Sequence, residues 1–121
     1  MKTRLLLVAV PVGFLVALAA WALSRPCVAV HDVRRAETLV LGKRTGSPYT
    51  HAISIHGSGS IDGDAIISLL LNGRPYKTET LRGAVRFDWG GDWYSETAEV
   101  RYEPGEVRSG SITLCYQFHE L

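Results

Sequence analysis

The stretch that most constrains this chain is Phe87 to Tyr102, FDWGGDWYSETAEVRY. Apolar side chains recur at every second position on either side of Gly90-Gly91-Asp92. Val85, Phe87 and Trp89 precede the glycines, and Ala98, Val100 and Tyr102 follow them. A period of two is the side-chain period of a half-buried strand and is incompatible with an amphipathic helix. Gly-Gly-Asp reads as a turn, so the spacing predicts a hairpin here, with Trp89 in the core.

The same pattern extends in both directions. Thr38 to Leu41 is a short apolar run and a first strand; Gly42 to Pro48 is a loop. From Tyr49 the chain alternates, with His51, Ile53 and Ile55 on one face and Ala52, Ser54 and His56 on the other. Gly57-Ser-Gly-Ser breaks or bulges that strand, and Asp62-Gly63 is a turn signal. Asp64 to Leu71 is nearly continuous apolar, as in a central strand covered on both faces. Asn72-Gly73 follows, a pair suited to a two-residue hairpin because both turn positions need positive φ. Arg74 to Arg82 returns, and Gly83 leads into Ala84 to Trp89. Pro104-Gly105 marks a further turn and Ser109-Gly110 opens the last strand. Short connections favour sequential antiparallel pairing. The expected fold is all-β: a small antiparallel β-sandwich or partly open barrel of six to seven strands, spanning residues 37–121, preceded by one N-terminal hydrophobic helix.

That helix is expected within residues 1–24. Leu5 to Leu23 is a nineteen-residue run without a charge, and Lys2 and Arg4 precede it. Such a run reaches roughly 28 Å as a helix, about the thickness of a bilayer's hydrocarbon. Ala20-Trp21-Ala22 also offers a signal-peptide cleavage site. Length favours an uncleaved single-pass anchor contacting the membrane through residues 5–23; cleavage gives a secreted or periplasmic protein. A lipoprotein is disfavoured because Ser24-Arg25-Pro26 before Cys27 lacks small residues. Either main route puts the C-terminal domain outside the cytoplasm, in the cell envelope. Residues 25–36 carry mixed charge and no period, and read as a basic neck or linker.

Without residues 1–24 the chain holds eleven Lys and Arg against twelve Asp and Glu. That balance supplies no basic footprint for nucleic acid. Cys27 and Cys115 are the only two cysteines. In an exported chain an even number points to a disulfide. Alternation puts Cys115 on the face opposite Ile112, Leu114 and Tyr116, where it can catch an N-terminal segment crossing behind the sheet.

Little in the chain carries chemistry. His31, His51, His56 and His119 form no tight ligand pair, so no metal site is expected. Asp62 and Asp64 lack the longer oxygen-ligand pattern of a calcium loop. No Gly-x-Ser-x-Gly elbow is present. Asp88, Asp92, Glu96 and Glu99 cluster near the Gly-Gly-Asp turn, where carboxylates are ordinarily just solvated. No catalytic residue and no cofactor is expected. The aromatic residues of the turn remain. Trp93 follows two glycines and an aspartate, so the turn rather than alternation sets its direction. An exposed Trp93 and Tyr94 beside Asp92 and Glu96 form a candidate binding surface for a sugar or a protein hot spot.

The segments LLLNGRPYKTE, DWYSETAEVRYEP and SGSITLCYQF, which run from Ile61 to Phe118, resemble small exported or membrane-anchored bacterial β-sheet proteins of uncharacterised function. The resemblance covers about half the chain, implies an all-β fold and export, and supplies no functional residues. The expected role is therefore a non-enzymatic β domain acting through protein–protein interaction in the cell envelope. The alternatives are a carbohydrate-binding module using Trp93 and Tyr94, and a small exported hydrolase.

Overall fold

The computed structural model describes residues 25–43 and 49–120. The expected N-terminal helix lies outside them, and among the described residues no helix is long and apolar enough to cross a membrane. The described chain is all-β and antiparallel. Five strands run in order: β1 (Cys27–Ala29), β2 (Glu37–Gly42), β3 (Thr50–Leu71), β4 (Arg74–Asp92) and β5 (Thr97–Glu120). They form one sheet in the order β1-β5-β3-β4, with β2 also paired to β5.

Among the described residues there are five strands, against the expected six to seven, and three of them are very long. β3, β4 and β5 hold 22, 19 and 24 residues, against roughly 5–6 for a common strand. Each runs through glycines that read as breaks in the sequence. These glycines fall in one transverse band. Ile61 of β3 is opposite Gly83 of β4 and Gly110 of β5, and Gly63 is opposite Val107. Register shifts between Ile61 and Asp64, and between Gly63 and Ala65, mark bulges in the same band. Gly63 has φ 142° and Gly110 has φ 130°, backbone that a side chain rarely tolerates. A Cβ on Gly63 would run into the Glu106 carbonyl, and one on Gly110 into the Ser60 carbonyl. Bulges bend a strand and raise its twist. Bulges in β3 and β5 at one level, with Gly83 of β4 beside them, let the sheet fold over on itself.

The fold-over makes two layers from the halves of the same strands. The first holds residues 50–60, 84–92 and 111–120 with β1. The second holds residues 64–71, 74–82 and 97–104 with β2. Alternation sends one side chain in two toward the shared interior. Ile53, Ile55, Val85, Phe87, Trp89, Ile112 and Leu114 come from the first layer. Ala65, Ile67, Leu69, Leu81, Ala98, Val100 and Tyr102 come from the second, and all belong to one core cluster. Contacts cross between layers: the Tyr116 hydroxyl donates to the Gly42 carbonyl at 3.2 Å, and Lys43 Nζ pairs with Glu120 Oε1 at 2.9 Å.

The pairing corrects the hairpin expected over Phe87 to Tyr102. β4 and β5 are not neighbours, because β3 lies between them. Asp92 is opposite Ala52 in the first layer, whereas Glu99 is opposite Leu70 in the second. Residues 93–96 therefore cross from one layer to the other. Pro104-Gly105 is likewise no turn but part of β5. The Asn72-Gly73 turn is where the sequence puts it, with φ 53° and 78° at the two residues.

Of residues 25–36, expected as a linker, Cys27–Ala29 form a strand of the sheet. Cys27, Val28 and Ala29 are opposite Cys115, Leu114 and Thr113, and a disulfide joins Cys27 to Cys115 across a separation of 88 residues. By the chain-entropy account a loop of that size is worth about 4–5 kcal/mol. Beyond β1 the chain passes along the bend. The Val30 amide donates to the Ile112 carbonyl at 3.0 Å, and the Tyr102 hydroxyl donates to the Val33 carbonyl at 2.7 Å. Asp32 accepts bonds from the side chain and backbone amide of Arg34, which hold its carboxyl below the usual carboxylate range.

Candidate functional site

The outward face of the first layer carries the residues that alternation excludes from the core. On β3 these are Ala52, Ser54, His56, Ser58 and Ser60. On β4 they are Arg86, Asp88, Gly90 and Asp92, and on β5 Thr113, Cys115, Gln117 and His119. The register aligns them in rows across the sheet. Gly90, Ser54 and Gln117 form one row; Asp88, His56 and Cys115 form the next. Asp92, Ala52 and His119 lie on the other side.

The side-chain lengths make a hollow. Gly90 and Ser54 project little, while His56, Asp88, Gln117 and His119 stand around them. Arg25 closes the β1 side. These residues line a cleft of about 380 Å³ whose floor includes the backbones of Ile55 and Trp89. Further depressions lie along β2, lined by His31, Glu37 and Val40, and by the Asn72-Gly73 turn, beside Trp93 and Glu99. The first cleft gathers titratable side chains from three strands and from the segment before β1.

Two hydrogen bonds fix its walls. His56 Nδ1 is 2.7 Å from Asp88 Oδ1, so the ring donates there and turns Nε2 away from β4. Ser54 Oγ is 2.7 Å from His119 Nε2. The Asp88 side chain is 74% exposed and that of His56 is 43% exposed, so the pair orients the ring more than it stabilises the fold. Nucleophilic catalysis needs a serine, a base and an orienting group in series. Here the carboxylate holds one imidazole and the serine meets the other. The two pairs form separate units, and their outward N–H, O–H and lone pairs suit hydrogen bonding to a ligand. Among the described residues no group of three or more His, Cys, Asp or Glu is placed to hold a metal ion.

The surface expected from the sequence is divided by the structure. Trp93 is 6% exposed and belongs to the core, and its indole N–H donates to the Thr97 carbonyl at 2.9 Å. Its ring lies 6.5 Å from that of Tyr76. The crossing of residues 93–96 between layers turns it inward, so it offers no outward platform. Tyr94 is 78% exposed, and Asp92 and Glu96 are exposed as well. Asp92 lies on the same outward face as the cleft, in the row beyond Gly90.

Sequence reasoning did not find the cleft. His56 and His119 are 63 positions apart, and only the β3–β5 register brings them to one face. The available signal was parity: Ser54 and His56 on one strand, and Gln117 and His119 on another, are all out of phase with the core.

No family model matches the chain, and no curated protein matches it. Among solved structures it is similar to one of CBM4, at 13% identity and TM-score 0.41, with 71% of this chain and 61% of that chain covered. The chain thus spans less than two thirds of that structure's length. It is also similar to the carbohydrate-binding module CBM36 in complex with calcium and xylotriose, at 14% identity and TM-score 0.37, covering 75% of this chain and 78% of that one. Overlaps of this size leave the function to be read from the chain's own residues.

Proposed function

We propose that this protein is a β-sandwich binding domain, working outside the cytoplasm and without catalysis, that takes a saccharide in the cleft between β1 and β4. The observation that carries this reading is the set of six polar side chains, Arg25, Ser54, His56, Asp88, Gln117 and His119, that line the cleft. A sugar presents hydroxyls that both donate and accept, and this set supplies both roles at close spacing. An apolar ligand would strand these groups without partners, which costs about 1–3 kcal/mol for each buried one. The Cys27–Cys115 disulfide supports a place in an oxidising compartment, and so the route through residues 5–23, anchored or cleaved.

The protein-partner reading has less support. Val40 is 61% exposed and Ile66 is 45% exposed on the second layer's outward face. Glu99, Arg101 and Glu103 separate them in the register, and isolated apolar residues are ordinary surface.

The test is an amide chemical-shift titration of the protein with neutral and acidic oligosaccharides. Shifts at Ser54, His56, Gln117 and His119 are the expected result. Shifts confined to the Val40 and Ile66 face, or none with any saccharide, reject the proposal.

A further inference from the structure

The charges of the cleft are not spread evenly. Asp88 lines it from β4, at one edge of the sheet, with Arg86 and Asp92 of the same strand outside the lining. Arg25 stands at the opposite edge, just before β1. The strand order β1-β5-β3-β4 puts three strand spacings between these edges, about 14 Å in all. At the β4 end, Asp88 is engaged by His56. At the β1 end, no described residue forms an ion pair with Arg25, and the uncharged Gln117 lines the cleft beside it.

Arg25 is also held in place. Cys27, two residues on, is tied to Cys115 by the disulfide. Between them the Pro26 carbonyl accepts the Tyr116 amide at 3.0 Å, and the proline ring restricts φ. The backbone beside Arg25 is therefore tied to the sheet. A guanidinium carried on such a support can meet a carboxylate in a two-pronged, charge-assisted arrangement. We infer that the cleft is selective for an acidic saccharide, with Arg25 receiving a uronate carboxylate and the Ser54, Gln117 and His119 side chains receiving the neighbouring hydroxyls. This inference rests on the saccharide reading above and adds the charge of the ligand and its direction. The acidic group lies toward β1, and the neutral end lies toward Asp88.

Calorimetric titration of the protein with trigalacturonate and with the neutral galactose trimer tests it. Trigalacturonate is expected to bind more tightly, and the difference should shrink as salt is raised. Arg25→Gln should weaken trigalacturonate by about tenfold to a hundredfold, the worth of one hydrogen bond to a charged group, while changing the neutral trimer by less than about threefold. Arg25→Lys should restore part of the loss. Thermal melts of both variants should match the parent, since the side chain borders the cleft rather than the core. Equal affinities for the two trimers, or a loss in Arg25→Gln that is the same for both, overturns the acidic assignment and leaves the saccharide reading standing. Binding of neither trimer overturns the acidic assignment, and the saccharide reading falls with it only if the shift titration is silent with every saccharide.

Discussion

Trp93 and Tyr102 show how a single side chain is fixed by the path of the backbone. Trp89 is buried because it shares a face with Val85 and Phe87; Trp93 is buried because its segment passes between the layers. Both have their rings in one core, so Trp93→Ala should destabilise by about 3–5 kcal/mol, as should Trp89→Ala. Thermal melts of the two variants check this, and a Trp93→Ala melt close to the parent's would show the ring to be dispensable. The direction of Trp89 was legible in the sequence from parity alone. That of Trp93 was not, because parity ends where a strand ends and the crossing is a tertiary fact. Tyr102 is fully buried, and burial, with a smaller contribution from Asp32, pushes its phenol above the ordinary tyrosine range. The sign follows from linkage. With the folded value raised, the stability it contributes is complete below pH of about 10 and is lost as pH climbs through the folded value. Tyr102→Phe removes the bond to the Val33 carbonyl and should cost about 1–2 kcal/mol near neutrality. The same variant should flatten the alkaline loss, and denaturant titrations at neutral and alkaline pH give both numbers. Parallel alkaline slopes in parent and variant would contradict the assignment.

Among elements, the three long strands depend on one band of bulges and glycines. Gly63→Ala should be far more damaging than its one added methyl suggests, because φ of 142° and the Glu106 carbonyl both oppose a Cβ. The expected loss is about 2–3 kcal/mol, from backbone strain together with displacement of β5. Gly73→Ala, in a turn where nothing lies within 4 Å of a Cβ, provides the comparison and should cost less. Equal losses would mean that the bend does not depend on close approach at Gly63. Element existence was readable from the sequence, since every alternating segment after Tyr49 lies in a strand. Continuity was not. A glycine at a bulge and a glycine at a turn look alike in sequence, which is why Asp62-Gly63 and Pro104-Gly105 read as turns and each long strand as two. β1 gave even less signal: at three residues it is too short for a period, and only its cysteine pointed to the sheet.

At the scale of the molecule, the strand that joins everything is the last one. β5 lies between β3 and the β1–β2 edge, and in both layers. The partners of residues 111–120 lie some fifty to ninety positions earlier, at residues 50–60 and 27–29. Contacts so distant in sequence form slowly, because loop closure precedes any gain from pairing. The β3–β4 hairpin can form early, but it exposes an apolar face and an unpaired edge of β3 until β5 arrives. A nascent chain therefore cannot complete this domain while residues 111–120 are still inside the ribosome. Until residues 111–120 are available, the edge of β3 over residues 50–60 has no partner from β5. The seat of β5 between β3 and the β1–β2 edge thus leaves both layers open until the strand with the most distant partners is in place.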